Sequence, residues 1–324
     1  MRTTIRLMVK SLRFEIVAMS VAVIVLGCVA LYIAWRLGQV GIPRECLFSN
    51  LPIPYELDYT LEATCQATRD QFYELVNTGG QVLAMTVLIP CVAGLLIGVP
   101  LVARELESGT ASLAWTLSRS RWIWYLRRVI PLAVIVGLAL LLPAAATVIM
   151  QGARQPDVDP WASFSDGSLR GPVVLCRGLL AMGIGVLAGA VVGRQLPAVI
   201  IGGLLAILVI GFVVSQGVQT FSAALGEWRT SGQTTSGDLV LDIGYRDKSS
   251  GAIVGYDTAY GGAPILPDGG SDETWVQAHF DQVILAVPGW RYPEVTGVEC
   301  VALGTLAVVV LGLGGLVVDR RRPS

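Results

Sequence analysis

VPLVARELESGTASLAWTLSRSRWIWYLRR, residues 99–128, is the stretch on which the fold turns. An apolar run ends at Val102. Arg104, Glu105, Glu107, Ser108, Gly109 and Thr110 follow at once. Leu106, Leu113 and Leu117 then recur at i, i+7 and i+11, which places them on one helical face. Arg119, Arg121, Arg127 and Arg128 lead into a new apolar run that begins at Val129. The pattern predicts a short helix at a membrane surface, held between two spanning helices, with basic residues at both ends.

The composition agrees. Hydrophobic residues make up 53% of the 324-residue chain and charged residues only 15%, where a soluble domain carries about 25% charged residues. Apolar runs at 14–35, 81–102, 129–150, 172–193, 197–216 and 297–318 are each long enough to cross a hydrocarbon core about 30 Å thick. Six transmembrane helices are expected, in an all-α membrane protein. Only Arg194, Gln195 and Leu196 separate the fourth from the fifth, so those two form a tight hairpin. Residues 1–13 carry Arg2, Arg6, Lys10 and Arg13 among apolar residues and no acid. They read as an N-terminal interfacial helix. The run after them is longer than a signal-peptide core and lacks a clear cleavage site, so it reads as an uncleaved first span.

Arginine and lysine set the orientation. With the N-terminus inside, the short inner segments 1–13, 103–128, 194–196 and 319–324 hold thirteen basic residues. The much longer outer segments 36–80, 151–171 and 217–296 hold nine. Both termini are therefore expected inside. The first outer loop contains Cys46 and Cys65, which either pair as a disulfide or stay free, since spacing alone cannot show geometry. Residues 217–296 read as a small irregular or β-containing outer subdomain, with strands suggested at DLVLDIGY and GAIVGYDTAY; partial disorder is the rival reading. The organisation is then 1–13, an interfacial helix; 14–216, five spans with the segment 103–128; 217–296, the outer subdomain; and 297–324, the last span and an inner tail.

Within the spans, Gly185, Gly189 and Gly193 form a small-residue ridge, for contact inside the subunit or between two subunits. Pro90, Pro100 and Pro143 are expected to kink their helices or force local rearrangement. Arg177 sits about a turn and a half into the fourth span. It either marks a substrate path or snorkels to the outer surface, the plainer account. Glu15 and Glu299 lie near span ends and are expected to reach headgroups or water. The spans otherwise look nearly free of buried charge, which argues against an ion-driven transporter. Neither lysine follows a glycine, so there is no P-loop. His279 is the single histidine and cannot build a His-based zinc site by itself. The basic residues flank spans, which leaves no nucleic-acid face.

The string Arg104 to Thr110, with Ser118-Arg119-Ser120-Arg121 after it, resembles the cytoplasmic loop of ABC-2 type transporter permeases, the membrane subunits of bacterial ABC exporters. The resemblance implies a multi-pass protein of the bacterial cytoplasmic membrane and a partner ABC ATPase. ATP and Mg would be bound by that ATPase, with no cofactor on this chain. It also implies a permease homodimer or heterodimer in membrane lipid. Arg104, Glu105, Glu107, Gly109, Thr110, Arg119 and Arg121 would form the ATPase-coupling segment, a cytoplasmic coupling helix. Glu105 is the acid expected to face the ATPase, and Gly109 is expected to mark a close approach or a bend. The function implied is export of a substrate the sequence does not name, with no catalysis by this chain. The alternative is a membrane receptor or anchor whose outer loop binds a ligand.

Overall fold

Helix α1, Arg13–Val40, shows the logic of the whole bundle. Met19, Val23, Leu26, Ala30, Ile33 and Leu37 are buried, one continuous helical stripe. Phe14, Val17, Val21 and Ile24 on the other face stay exposed, as lipid-facing residues do. The computed structural model describes residues 13–43, 46, 59–111, 115, 120–264 and 273–321. The expected interfacial helix, 1–13, falls almost entirely outside them.

Five more long helices follow: α2, Tyr59–Glu107; α3, Arg121–Arg154; α4, Pro172–Val192; α5, Gln195–Phe212; and, after the outer subdomain, the last helix, Tyr292–Arg320. All six have the length and apolar content of membrane spans. Helix α4 is the centre. In its most apolar window 78% of residues are buried, against 22% for α5, which turns most of its surface outward. Helix α4 packs most extensively on α2 and next on the last helix.

The α2–α4 contact is made by backbone meeting backbone. A Cβ at Gly94 would lie 2.7 Å from the Met182 nitrogen, and one at Gly189 would lie 2.7 Å from the Val99 carbonyl oxygen. Neither neighbour can yield, so the ridge containing Gly185 and Gly189 is used inside the subunit. Gly193 does a different job, ending α4 in the left-handed region at φ +72°.

One expectation is corrected. Residues 36–80 are not simply a loop, because 59–80 continue the second span as helix. At about 1.5 Å per residue the 49 residues of α2 reach about 70 Å, well beyond a bilayer core. The outer part is anchored by Phe72 and Leu83, packed among Ile33, Leu37, Ala146 and Met150. Cys46 is joined there to Cys65 by a disulfide, and the buried Arg69 donates to the Cys46 carbonyl at 3.2 Å. Helix α2 runs on through Pro90 and Pro100, and α3 through Pro131 and Pro143.

The outer subdomain is a four-stranded antiparallel sheet of order β1-β4-β2-β3. The strands are β1, Glu227–Thr230; β2, Leu239–Asp247; β3, Ile253–Val254; and β4, Phe280–Val287. It is entered from α5 through a π-helical turn, Val213–Val218, and the short α6, Gln219–Leu225. DLVLDIGY is strand, as its alternation suggests. GAIVGYDTAY is strand only at Ile253–Val254, after which α7, Tyr256–Gly261, takes over. Helix α8, Glu273–His279, precedes β4, and the last helix is therefore α9. The β2–β3 turn is closed by Asp247, which accepts from Ser249 Oγ and N at 2.7 Å each and from Ser250 Oγ at 2.9 Å. Those donors, the Ser249 hydroxyl first, hold its carboxyl down to about 2. The sheet is tied to the bundle where Phe164 N donates to Gly237 O at 2.8 Å and Gly289 N to Asp238 Oδ1 at 2.8 Å.

Replacing Gly189 by Leu forces α2 and α4 apart and should cost about 2 kcal/mol or more, read as a lower melting temperature of the detergent-solubilised chain. Gly304→Leu, at a site with nothing within 4 Å of the added Cβ, is the matched control and should change little. Equal effects of the two would contradict the packing described.

Candidate functional site

The end of the bundle away from the sheet gathers four helix termini: the end of α2, the start of α3, the α4–α5 turn and the end of α9. Helix α2 stops because Gly109 takes φ +71°, with Ser108 N bonding back to Arg104 O at 3.0 Å and Gly109 N to Leu106 O at 3.3 Å. Among the described residues no atom lies within 4 Å of where a Gly109 Cβ would be, and the glycine makes a bend at φ +71°. Helical structure resumes at Thr110, whose hydroxyl lies 2.9 Å from that of Ser108.

The charges divide into two groups. Glu105 forms an ion pair with Arg128, and the Arg128 guanidinium lies over the Trp124 ring at 4.4 Å. Both charged side chains are about three-quarters buried. Glu107 is exposed and accepts from Gln195 N at 3.1 Å, at the start of α5. Arg104 is half-exposed and 3.7 Å from Glu15, so Glu15 reaches a guanidinium. Arg121 donates to the Asp319 carbonyl at 3.1 Å and the Arg321 carbonyl at 2.6 Å, and lies over Trp115 at 4.8 Å. Arg321 in turn donates to Ala190 O at 2.6 Å, capping α4. Arg119 lies outside the described residues, as do Leu113 and Leu117.

Arg104, Glu107, Ser108, Gly109 and Thr110 thus form an exposed rim, while Glu105 and Arg121 hold the helices beneath it together. Of the two acids it is Glu107, not Glu105, that lies on the free surface. The sequence reading passed over the aromatic floor of this rim. Trp115 and Trp124 meet edge to face at 6.2 Å and Trp122 stacks on Tyr125 at 5.9 Å. Tyr125 Oη donates to Leu311 O at 2.7 Å, reaching α9. The signal was three tryptophans and a tyrosine within eleven residues.

Near the opposite end, Arg177 of α4 and Glu299 of α9 form an ion pair at 2.9 Å, each side chain 3% exposed. Arg177 does not snorkel and Glu299 does not reach water, so the spans are not free of buried charge. The pair clamps α4 to α9, and each partner makes the other tolerable in a low-dielectric interior. Cys176 and Cys300, both free, are the sequence neighbours of the pair.

The family model described as ABC-2 membrane transporter related matches residues 16–219. The chain belongs to that family. The match takes in the first five spans and the whole Arg104–Arg128 rim of this ABC-2 protein, and stops before its sheet and α9. Comparison with curated proteins gives no match, and comparison with solved structures gives none.

Losing one partner of the buried pair should cost about 3–5 kcal/mol. Arg177→Met alone is therefore expected to lower the melting temperature sharply. The double change Arg177→Met with Glu299→Gln should recover most of the loss. A double variant as unstable as the sum of its single changes would contradict the pairing.

Proposed function

We propose that this ABC-2 chain is the permease subunit of an ABC exporter in a bacterial cytoplasmic membrane. It moves its substrate outward, using ATP hydrolysed with Mg on a separate ATPase chain, and itself catalyses nothing. The observation that supports this best is the linkage at the rim. The exposed rim at the end of α2 is tied, directly or through neighbouring residues, to the other five spans, to α1 by Arg104 and Glu15. Glu107 reaches the start of α5, Arg121 reaches the end of α9, Arg321 caps α4, and Arg128 joins α3 to α2 through Glu105. A partner that pushes on the rim therefore moves the bundle and not just a loop. The density of basic residues at this end favours the cytoplasmic side, where an ATPase works.

In this mechanism ATP-driven closure of two ATPases moves two copies of the rim, which implies two permease halves, identical or similar. The push passes up α2. Because α2 and α4 touch through backbone, it passes to α4 without being absorbed by side-chain rearrangement. Helix α4 hands it to α9 through close packing and the Arg177–Glu299 pair. The outer ends of α4 and α9 then shift relative to the sheet.

Glu107 is the acid that faces the ATPase in this account. Glu107→Arg should leave membrane insertion and melting temperature near those of the parent and lower substrate-stimulated ATPase activity of the assembled complex about tenfold, as a charge reversal at a contact does. Glu105→Ala should instead lower the melting temperature, because it strands Arg128. A Glu107→Arg complex that hydrolyses ATP and transports like the parent would overturn the docking assignment.

A further inference from the structure

A cavity of about 930 Å³ lies between the underside of the sheet and the outer end of the bundle. Its apolar wall comes from Phe164, Val214, Leu239, Leu241, Leu285 and Val295, contributed by five different parts of the chain. Three features set it apart from a packing defect. The first is the backbone of β2. Leu239, Val240, Leu241 and Asp242 all line the cavity, although a regular strand sends alternate residues to opposite faces. The strand manages it through a bulge: Val240 pairs with Ala286 and Asp242 with Leu285, leaving Leu241 as the extra residue. The π-helical turn contributes Val214 and Ser215 on the facing side, a second irregular element at the same place.

The second feature is Ser222. It belongs to the wall, is 0% exposed, and its hydroxyl has no hydrogen-bond partner among the described residues. Buried hydroxyls are normally paired, and a polar group of a bound molecule would pair this one. The third is charge. Among the described residues the lining contains three carboxylates and no lysine or arginine. Two of the acids are neutralised from behind, Asp166 by Arg154 at 2.6 Å and Glu299 by Arg177 at 2.9 Å. Asp242 accepts only the N–H of Ile243, at 2.8 Å, and has no ion pair among the described residues. Among the described residues the cavity therefore holds one carboxylate without an ion pair, beside its apolar wall.

We propose that this cavity binds an amphiphilic organic cation. Its apolar body packs against the leucine and valine wall, its positive nitrogen lies at Asp242, and a polar group meets Ser222. The inference deepens the export reading by naming the substrate class, and rests on that reading only for the fate of the bound molecule. The unpaired carboxylate disfavours anionic amphiphiles of the same shape. Because Glu299 lines the cavity and also forms the α4–α9 clamp, an α9 movement driven from the rim reaches the ligand directly.

The test uses the full chain in maltoside micelles with no ATPase present. The probe is rhodamine 6G, a lipophilic cation, followed by fluorescence anisotropy against protein-free micelles. Saturable binding is expected. Asp242→Asn, at an exposed position, should weaken it about tenfold or more, and Leu241→Trp, which pushes a bulky ring into the apolar wall, should weaken it measurably. Fluorescein, with the same ring system and a negative charge, should not compete. Absence of saturable binding, a smaller effect of Asp242→Asn, unchanged binding in Leu241→Trp, or competition by fluorescein would each overturn the proposal. Failure of the ATPase-coupled assay would leave this result untouched, and failure here would leave the docking assignment intact.

Discussion

The backbone contact between α2 and α4 is the constraint on which the rest of the structure depends. Helix α2 is the long rod of the protein, running from the disulfide-tied outer region to the polar rim. Helix α4 is its most buried span. In lipid no hydrophobic force drives helices together, so association relies on close packing and interhelical polar contacts. Gly94, Gly98 and Gly189 supply the first by letting two helices approach closer than any Cβ would permit. The Arg177–Glu299 pair supplies the second one helix further on. Removing the glycines would leave α4 without its main partner, and the rim without its firmest connection to the outer end.

The two ends of the bundle are built from different chemistry. At the rim, arginines lie over tryptophan rings and donate to helix-terminal carbonyls, so the positive charges also close the C-terminal ends of α4 and α9. At the outer end, arginines are turned inward. Arg170 is fully buried, donates to Ser163 O at 2.6 Å and lies over the Tyr292 ring at 4.7 Å. Arg154 donates to Val76 O at 3.1 Å and pairs with Asp166. These outer arginines are structural ties between loops and helices and present little positive charge to the surroundings. That difference is why the cavity under the sheet stays negative while the rim is mixed.

Much of this was legible in the sequence, for reasons that can be named. A run of about twenty apolar residues has few fates other than crossing a membrane, so all six spans could be read. The rim could be read because polar residues between two such runs have to lie at a surface. The helical extension at 59–80 could not: its polar, charged residues resemble a loop, and only packing against α1 and α3 reveals the helix. The disulfide was left open because spacing carries no geometry. The Arg177–Glu299 pair joins residues 122 positions apart, and nothing local to either announces its partner. The same holds for Glu105 and Arg128, 23 positions apart, whose ion pair leaves Glu107 the more exposed of the two acids. The bulge at Leu241 interrupts the alternation of β2 and depends on its pairing with β4.

Coupling requires the rim to face the compartment that holds ATP, with the sheet on the other side. Cysteines introduced at Ser108 and at Ser250 and labelled in intact cells with a membrane-impermeant maleimide, against the parent chain as background, test that directly. The account predicts labelling at position 250 and none at 108 until the membrane is opened. Labelling at 108 in intact cells would contradict it.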